Sequence, residues 1–209
     1  MFSEAITKEK IGIPPRVPGD IHTAGKDEES SAVAIITSAF STDPAARWMY
    51  PDPADYLAWF PTFIRLFAGR AFESGTAYMR SDRSGAALWL PPGVEPDPDP
   101  LIALFWESTT EEVQKDLFPV FEEMGNYHPH EPHWYLPMIG VDTFRQGKGA
   151  GSALMKHAVM LIDEEKVPAY LESSNPRNVP LYERYGFEVM GTIRHGDSPP
   201  IYPMIRRAR

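Results

Sequence analysis

Apolar positions recur at helical spacing in three long stretches. Over residues 54–72, Leu57, Phe60, Phe63, Ile64 and Phe67 form a stripe on one face of a helix. Pro61 lies inside that stripe, where a proline is expected to kink or split the helix. Residues 26–40 predict a second helix, with acidic residues in its first turn and Val33, Ile36, Ala39 and Phe40 further on. Leu154, Ala158, Leu161 and Ile162 mark a third over residues 151–165. Residues 100–124 read as one or two acidic helices broken near Pro119, and residues 179–185 as a short helix stopped by Gly186.

Short apolar runs between these stretches predict strands at residues 21–23, 76–80, 86–90, 133–141, from 169 to 171 onward, 187–193 and 201–205. The second and third are joined by a turn over 81–85 and read as a hairpin. Residues 42–53 are a turn-rich connector with room for one helical turn. Residues 1–19 mix charge with Pro14, Pro15 and Pro18 and keep no period, which predicts a flexible tail ahead of one domain over 20–209. Strands early, helices on both sides and a strand–glycine loop–helix–strand unit late predict a mixed α/β domain of the α+β type.

Composition narrows the partners. Of 209 residues, 43% are hydrophobic and 12% aromatic, enough for a packed core. The net charge of −9 weighs against nucleic acid, which needs a basic face. It suits a cationic small molecule or peptide, and equally a surface acidic for solubility alone. The absence of cysteine excludes disulfides, thiolate metal sites and a cysteine nucleophile. No basic stretch leads into an apolar run at the start, and no apolar segment reaches spanning length. A cytoplasmic protein with no membrane partner is the expectation.

The chemistry concentrates in "GVDTFRQGKGAG", residues 140–151. Glycines there bare backbone N–H groups at a predicted helix start, a cradle for an anion. A nucleoside-triphosphate loop is excluded, because Asp142 stands where its first glycine belongs and Gly149 follows Lys148 instead of a hydroxyl. The dinucleotide fingerprint fits Gly147, Gly149 and a strand-end Glu172, but Ser152 takes its third glycine position and too little chain follows for a doubly wound sheet. A third pattern, Gln or Arg, two residues, Gly, one residue, then Gly or Ala, fits Gln146–Gly151. A second element, "SSNPRNVPLYERYGFEV", follows about thirty residues later.

With both elements in view, the chain resembles the GNAT superfamily of acyl-CoA-dependent N-acetyltransferases. The loop matches the superfamily's pyrophosphate motif, and Asn175, Leu181-Tyr182 and Gly186-Phe187 match its "N…LY…GF" element at the usual spacing. Within it, "EPHWYLPMIGVDTFRQGKGAGSAL" and "VPAYLESSNPRNVPLYERYGF" are similar to the puromycin N-acetyltransferase group and related small-amine enzymes. The resemblance spans roughly residues 21–206.

What the resemblance implies is a mostly antiparallel sheet with two splayed parallel strands at its centre and direct transfer of acetyl from acetyl-CoA to an amine. Arg145, Gln146, Gly147, Lys148, Gly149, Ala150, Gly151 and Ser152 would hold the pyrophosphate. Main-chain groups of Ile139, Gly140 and Val141 would line the pantetheine arm, and Asn175 and Asn178 would bond to cofactor or loop backbone. Tyr182 matches the tyrosine that protonates the departing sulfur, and a phenol near pKa 10 keeps its proton for that task. Glu172 is the candidate base and a substrate contact; Trp134 and Tyr135 are candidate walls of the acceptor pocket. No metal is expected, because His128, His130 and His133 lack a zinc spacing. A small-molecule amine is the expected partner and a monomer or homodimer the expected state. A peptide acetyltransferase, served by the acidic stretch 107–123, and a non-catalytic CoA-binding domain stand as alternatives.

Overall fold

Seven strands build one sheet that divides the helices into two layers. The computed structural model describes residues 20–209, so the tail predicted at 1–19 lies outside the described residues. In chain order the elements are β1 (Ile21–Thr23), α1 (Glu29–Ala39), α2 (Pro44–Met49), α3 (Pro53–Ala68), α4 (Arg70–Glu73), β2 (Ala77–Arg80) and β3 (Gly85–Leu90). There follow α5 (Pro98–Ser108), α6 (Glu111–Tyr127), β4 (Trp134–Val141), α7 (Ala150–Glu165), β5 (Ala169–Ser173), α8 (Val179–Glu183), β6 (Glu188–Val189) and β7 (Tyr202–Arg206). The strand order is β1-β2-β3-β4-β5-β7-β6, and every neighbouring pair is antiparallel except β4 with β5.

The two faces carry separate cores. Residues of α1, α3, α5 and α6 pack with Met79, Leu88, Tyr135 and Tyr170 on one side. On the other, Leu154, Ala158 and Ile162 of α7 pack with Trp89, Trp134 and Leu171. Strand β3 lies between the layers and is buried at all six positions, as expected of a strand covered on both faces.

Neither internal proline breaks its helix. Helix α3 runs through Pro61 and α6 through Pro119. Each proline removes the bond to the carbonyl four residues back, that of Leu57 or Lys115. Both of those residues are exposed, so water can replace the lost donor. The break in the 100–124 region comes instead at Thr109 and Thr110. Thr110 caps α6 by accepting from the Val113 N–H at 3.3 Å. Gln114 closes the corner by donating to the Thr109 carbonyl at 2.8 Å.

The feature that sets the centre of the molecule is a bulge in β4. Leu88 faces Met138 and Leu90 faces Tyr135, so two steps along β3 match three along β4. Pro137, which has no N–H to donate, sits in the extra residue's stretch. Parallel pairing with β5 runs from Trp134–Ala169 to Leu136–Leu171 and stops there. Beyond Pro137 the two strands part, leaving the end of β4 from Met138 to Val141 unpaired on that side.

Candidate active site

The gap between the parted strands opens into two connected chambers. One is lined by Ile139, Gly140, Val141, the loop residues Gln146, Gly147, Gly149, Ala150, Gly151 and Ser152, and, across the gap, Asn175, Asn178 and Tyr182. It holds about 460 Å³. The other is largely apolar and reaches under the sheet toward α3 and α6, with Glu172, Asp43 and Ser174 at its polar end. Tyr182, Asp43, Ile139 and Asn178 border both.

The glycine loop has the shape of an anion cradle. Gly147 and Gly149 have φ of +73° and +83°, conformations that a side chain resists, and nothing lies within 4 Å of the place a Cβ would take. Gly149 is the residue before α7, so the free N–H groups of that helix's first turn and its positive end face the chamber. Gln146 donates to the Val141 carbonyl at 3.1 Å and so tethers the loop to the strand end. Tyr185 donates to the Ser152 carbonyl at 2.7 Å, tying the loop's helix to the segment after α8. Gly140 is small for another reason: a Cβ there would meet Ala39 Cβ at 2.8 Å, because α1 packs directly on β4.

Four of the expected site residues stand elsewhere or do other work. Trp134 is turned to the opposite face, where its indole donates to Glu165 at 2.8 Å. It cannot wall the apolar chamber. Arg145 points outward, 3.9 Å from Asp82, and Lys148 is exposed; neither borders the cleft. Asn175 borders it, but its side-chain oxygen accepts from the Arg177 N–H at 3.1 Å and caps the turn before α8. Tyr135 does lie beside the site, on the face of Tyr170, yet both are core residues.

Glu172 is buried at the parted end of β5, its side chain only 4% exposed. His128, the residue after α6, places Nε2 3.1 Å from Glu172 Oε1 and is itself 26% exposed. Rings of Tyr135, Tyr170 and His133 surround His128, with centroids 4.6, 4.5 and 5.5 Å away. Burial, then the charge of Glu172, pushes both tyrosine phenols upward. Burial also lowers His133 and favours its neutral form. His128 is thus committed to a carboxylate, and no group of three or more His, Cys, Asp or Glu among the described residues is arranged for a metal ion.

Tyr182, on α8, is buried beside Phe187 and borders both chambers. Burial, with the charge of Asp43 second, raises its phenol well above 10. Asp43 was not among the expected site residues. It caps α2 by accepting from the N–H groups of Ala45 and Ala46 at 3.0 and 3.2 Å. Its second oxygen accepts from Ser174 at 2.8 Å. Arg177 and Arg184, also unforeseen, supply the cations at the rim of the loop chamber.

Comparison with known proteins agrees with this geometry. Residues 95–187 match the model of the Acetyltransferase (GNAT) family. An uncharacterized N-acetyltransferase of Schizosaccharomyces pombe is 27% identical over 198 residues, covering 84% of this chain and 78% of that one. The crystal structure of a histone acetyltransferase HPA2 and related acetyltransferase from Corynebacterium glutamicum superposes with a TM-score of 0.64 at 25% identity, over 92% of this chain and 98% of that one. Arylalkylamine N-acetyltransferase 2 from Aedes aegypti shares the fold alone, with a TM-score of 0.64 at 12% identity over 91% and 99% of the two chains. Over residues 95–187 the chain carries a GNAT-family acetyltransferase domain. It is an acetyl-CoA-dependent N-acetyltransferase. Among the described residues, no helix is long and apolar enough to cross a membrane.

Proposed function

We propose that this protein moves an acetyl group from acetyl-CoA to the primary amine of a small molecule, by direct attack while both are held in the gap between β4 and β5. The observation that carries the reading is the parting of these strands after Leu136 and Leu171, with a bare glycine loop beside one chamber and a buried carboxylate in the other. The open space at Gly147 and Gly149 fits a diphosphate, and bound acetyl-CoA would supply the activated acetyl group.

The chain's own residues supply the rest. Main-chain N–H groups of Gly147, Gly149, Ala150, Gly151 and Ser152, at the start of α7, hold the diphosphate, with Arg177 and Arg184 adding positive charge from the other bank. Unpaired main-chain groups between Ile139 and Val141 offer hydrogen bonds to an extended amide arm and a donor for the carbonyl oxygen. Glu172 takes the proton from the incoming ammonium, in reach of the amine at the polar end of the apolar chamber. His128, about a quarter exposed, carries that proton away. Tyr182 keeps its own proton at neutral pH and gives it to the departing sulfur.

The test uses the purified chain. Acetyl-CoA, and not NAD, should raise the melting temperature, and a panel of amines should include members that release free thiol from acetyl-CoA. Stabilisation by NAD alone, or no thiol release with any amine, rejects the reading.

A further inference from the structure

We infer that the acceptor is a primary monoamine whose single ammonium group is carried on an apolar body of aromatic size. This rests on the acetyl-transfer reading above and names the substrate class of the same site. The apolar chamber holds about 100 Å³, against 460 Å³ for the loop chamber. An apolar cavity of about 150 Å³ accepts a benzene ring, so this chamber, open at its mouth, is on the scale of a single small ring. Its walls are aromatic: Phe40, Trp48, Phe60, Phe63, Phe67 and Phe121. These rings stack and tilt on one another, Phe63 on Phe67 at 5.2 Å and Phe67 against Phe121 at 6.0 Å, so the far end of the chamber offers a ligand no hydrogen-bonding partner.

The charges in the lining are of one sign. Asp43 and Glu172 are its only carboxylates, and it contains no lysine, arginine or histidine. Both carboxylates are buried, and no salt bridge is formed by Asp43 among the described residues. Two carboxylates facing an apolar space are stabilised by a cation brought in from outside. The ammonium therefore belongs between Asp43 and Glu172, beside Tyr182 and the thioester end of the gap. Its substituent then points toward Phe63, Phe67 and Phe121. A second cation or a peptide chain along that path would strand polar groups against aromatic rings, so diamines and lysine peptides are disfavoured.

The experiment compares acceptors on the wild-type chain: n-alkylamines of increasing length, 2-phenylethylamine, putrescine and a short lysine-containing peptide. The expected result is a kcat/KM that climbs about fourfold per added methylene until the chamber is filled, with 2-phenylethylamine good and putrescine at least about 100-fold poorer than n-hexylamine. Binding of 2-phenylethylamine and of its uncharged counterpart 2-phenylethanol is then measured by calorimetry on the wild type and on Asp43→Asn. The amine should weaken about 10-fold or more in the variant and the alcohol by less than about twofold. Turnover of putrescine or the peptide as fast as the apolar amines overturns the inference while leaving acetyl transfer standing. Equal weakening of amine and alcohol removes Asp43 as an ammonium partner and overturns it likewise. No thiol release with any acceptor overturns the acetyl-transfer reading itself. If Asp43→Asn does not fold, the wild-type acceptor series alone decides.

Discussion

His128 Nε2 stands 3.1 Å from Oε1 of Glu172, bringing the end of α6 against the parted end of β5. The carboxylate borders the chamber, whereas the imidazole does not and is partly exposed. A buried base that has taken a proton must return it before the next turnover, and His128 is the ionisable group in contact that reaches water. Around it lie Tyr135 and Tyr170 from the strands and His133 from the loop before β4; Glu95 in turn faces His133, and Tyr127 faces Tyr170. Glu172→Gln is expected to lower kcat/KM about 10²- to 10⁴-fold near neutral pH. The deficit should shrink at alkaline pH, where more of the amine arrives already neutral. His128→Gln is expected to cost about 10-fold and to recover in imidazole buffer. Equal rates for wild type and His128→Gln in every buffer would remove the histidine from the proton path.

Tyr182 makes a different pH prediction. Its phenol is raised first by burial and second by the charge of Asp43. The proton it gives to sulfur therefore stays on across the usual assay range. The wild-type kcat should show no descending limb below pH 10 that belongs to this residue. Tyr182→Phe should lower kcat about 10- to 100-fold with the KM for acetyl-CoA little changed. A descending limb near neutrality that disappears in Tyr182→Phe would contradict the assignment.

Much of this arrangement could be read from the chain because it rests on local chemistry. The strand–loop–helix around Gly147 and Gly149 and the helix bearing Tyr182 are set by glycines, a strand and a turn close in sequence. Pro137 is visible in the sequence as a proline inside the strand predicted at 133–141. What it does, ending the parallel ladder and forming part of a bulge, depends on the partner strands on either side. The helical stripe in α3 was legible except at its start: Phe60, Phe63, Ile64 and Phe67 are buried, whereas in the first turn Tyr56 is buried and Leu57 exposed. Pro119 looked like a helix end only because the stronger signal, a threonine cap at Thr110, carries no apolar period. His128 and Asp43 were illegible as site residues. Each ends or begins a helix, where a histidine or aspartate is ordinary, and only tertiary packing brings them to residues 44 and 131 positions away.

The loop glycines should respond differently from their neighbours. A Cβ at Gly149 meets nothing within 4 Å, so Gly149→Ala adds no clash, only the cost of a left-handed backbone. That cost is about 1–2 kcal/mol, which in a chain of this size lowers the melting temperature by a few degrees, on the order of 2–8 °C. The strain is relieved if the loop shifts, and the N–H groups then lose their aim. Acetyl-CoA affinity is expected to fall about 10-fold. Lys148→Ala, beside it but outside the cleft lining, should change affinity by less than about threefold, as exposed charges do. Gly140→Ala should harm stability more than either, since its Cβ collides with Ala39 and Ile36 of α1. Calorimetric titration with acetyl-CoA and a melting curve for each variant separate the three outcomes.

Asp43 ties stability to pH in a direction that its site role would reverse. Burial raises its pKa above the ordinary 3.8, and bonds from Ser174, Ala46 and Ala45 offset only part of that rise. Between the ordinary value and the raised one, the folded chain holds a proton that the unfolded chain has released. Stability from this residue is therefore present below 3.8, falls as pH climbs through the raised value and stays lower above it. Asp43→Asn cannot titrate, yet it retains the side-chain oxygen that accepts from Ala45 and Ala46. The melting temperature of Asp43→Asn minus that of the wild type should grow as pH rises from 4 and then level off toward neutrality. A difference independent of pH would show that the carboxylate is not strained by burial. Saturating 2-phenylethylamine at neutral pH should then narrow the gap, because the ammonium offsets in the wild type a buried charge that the variant lacks.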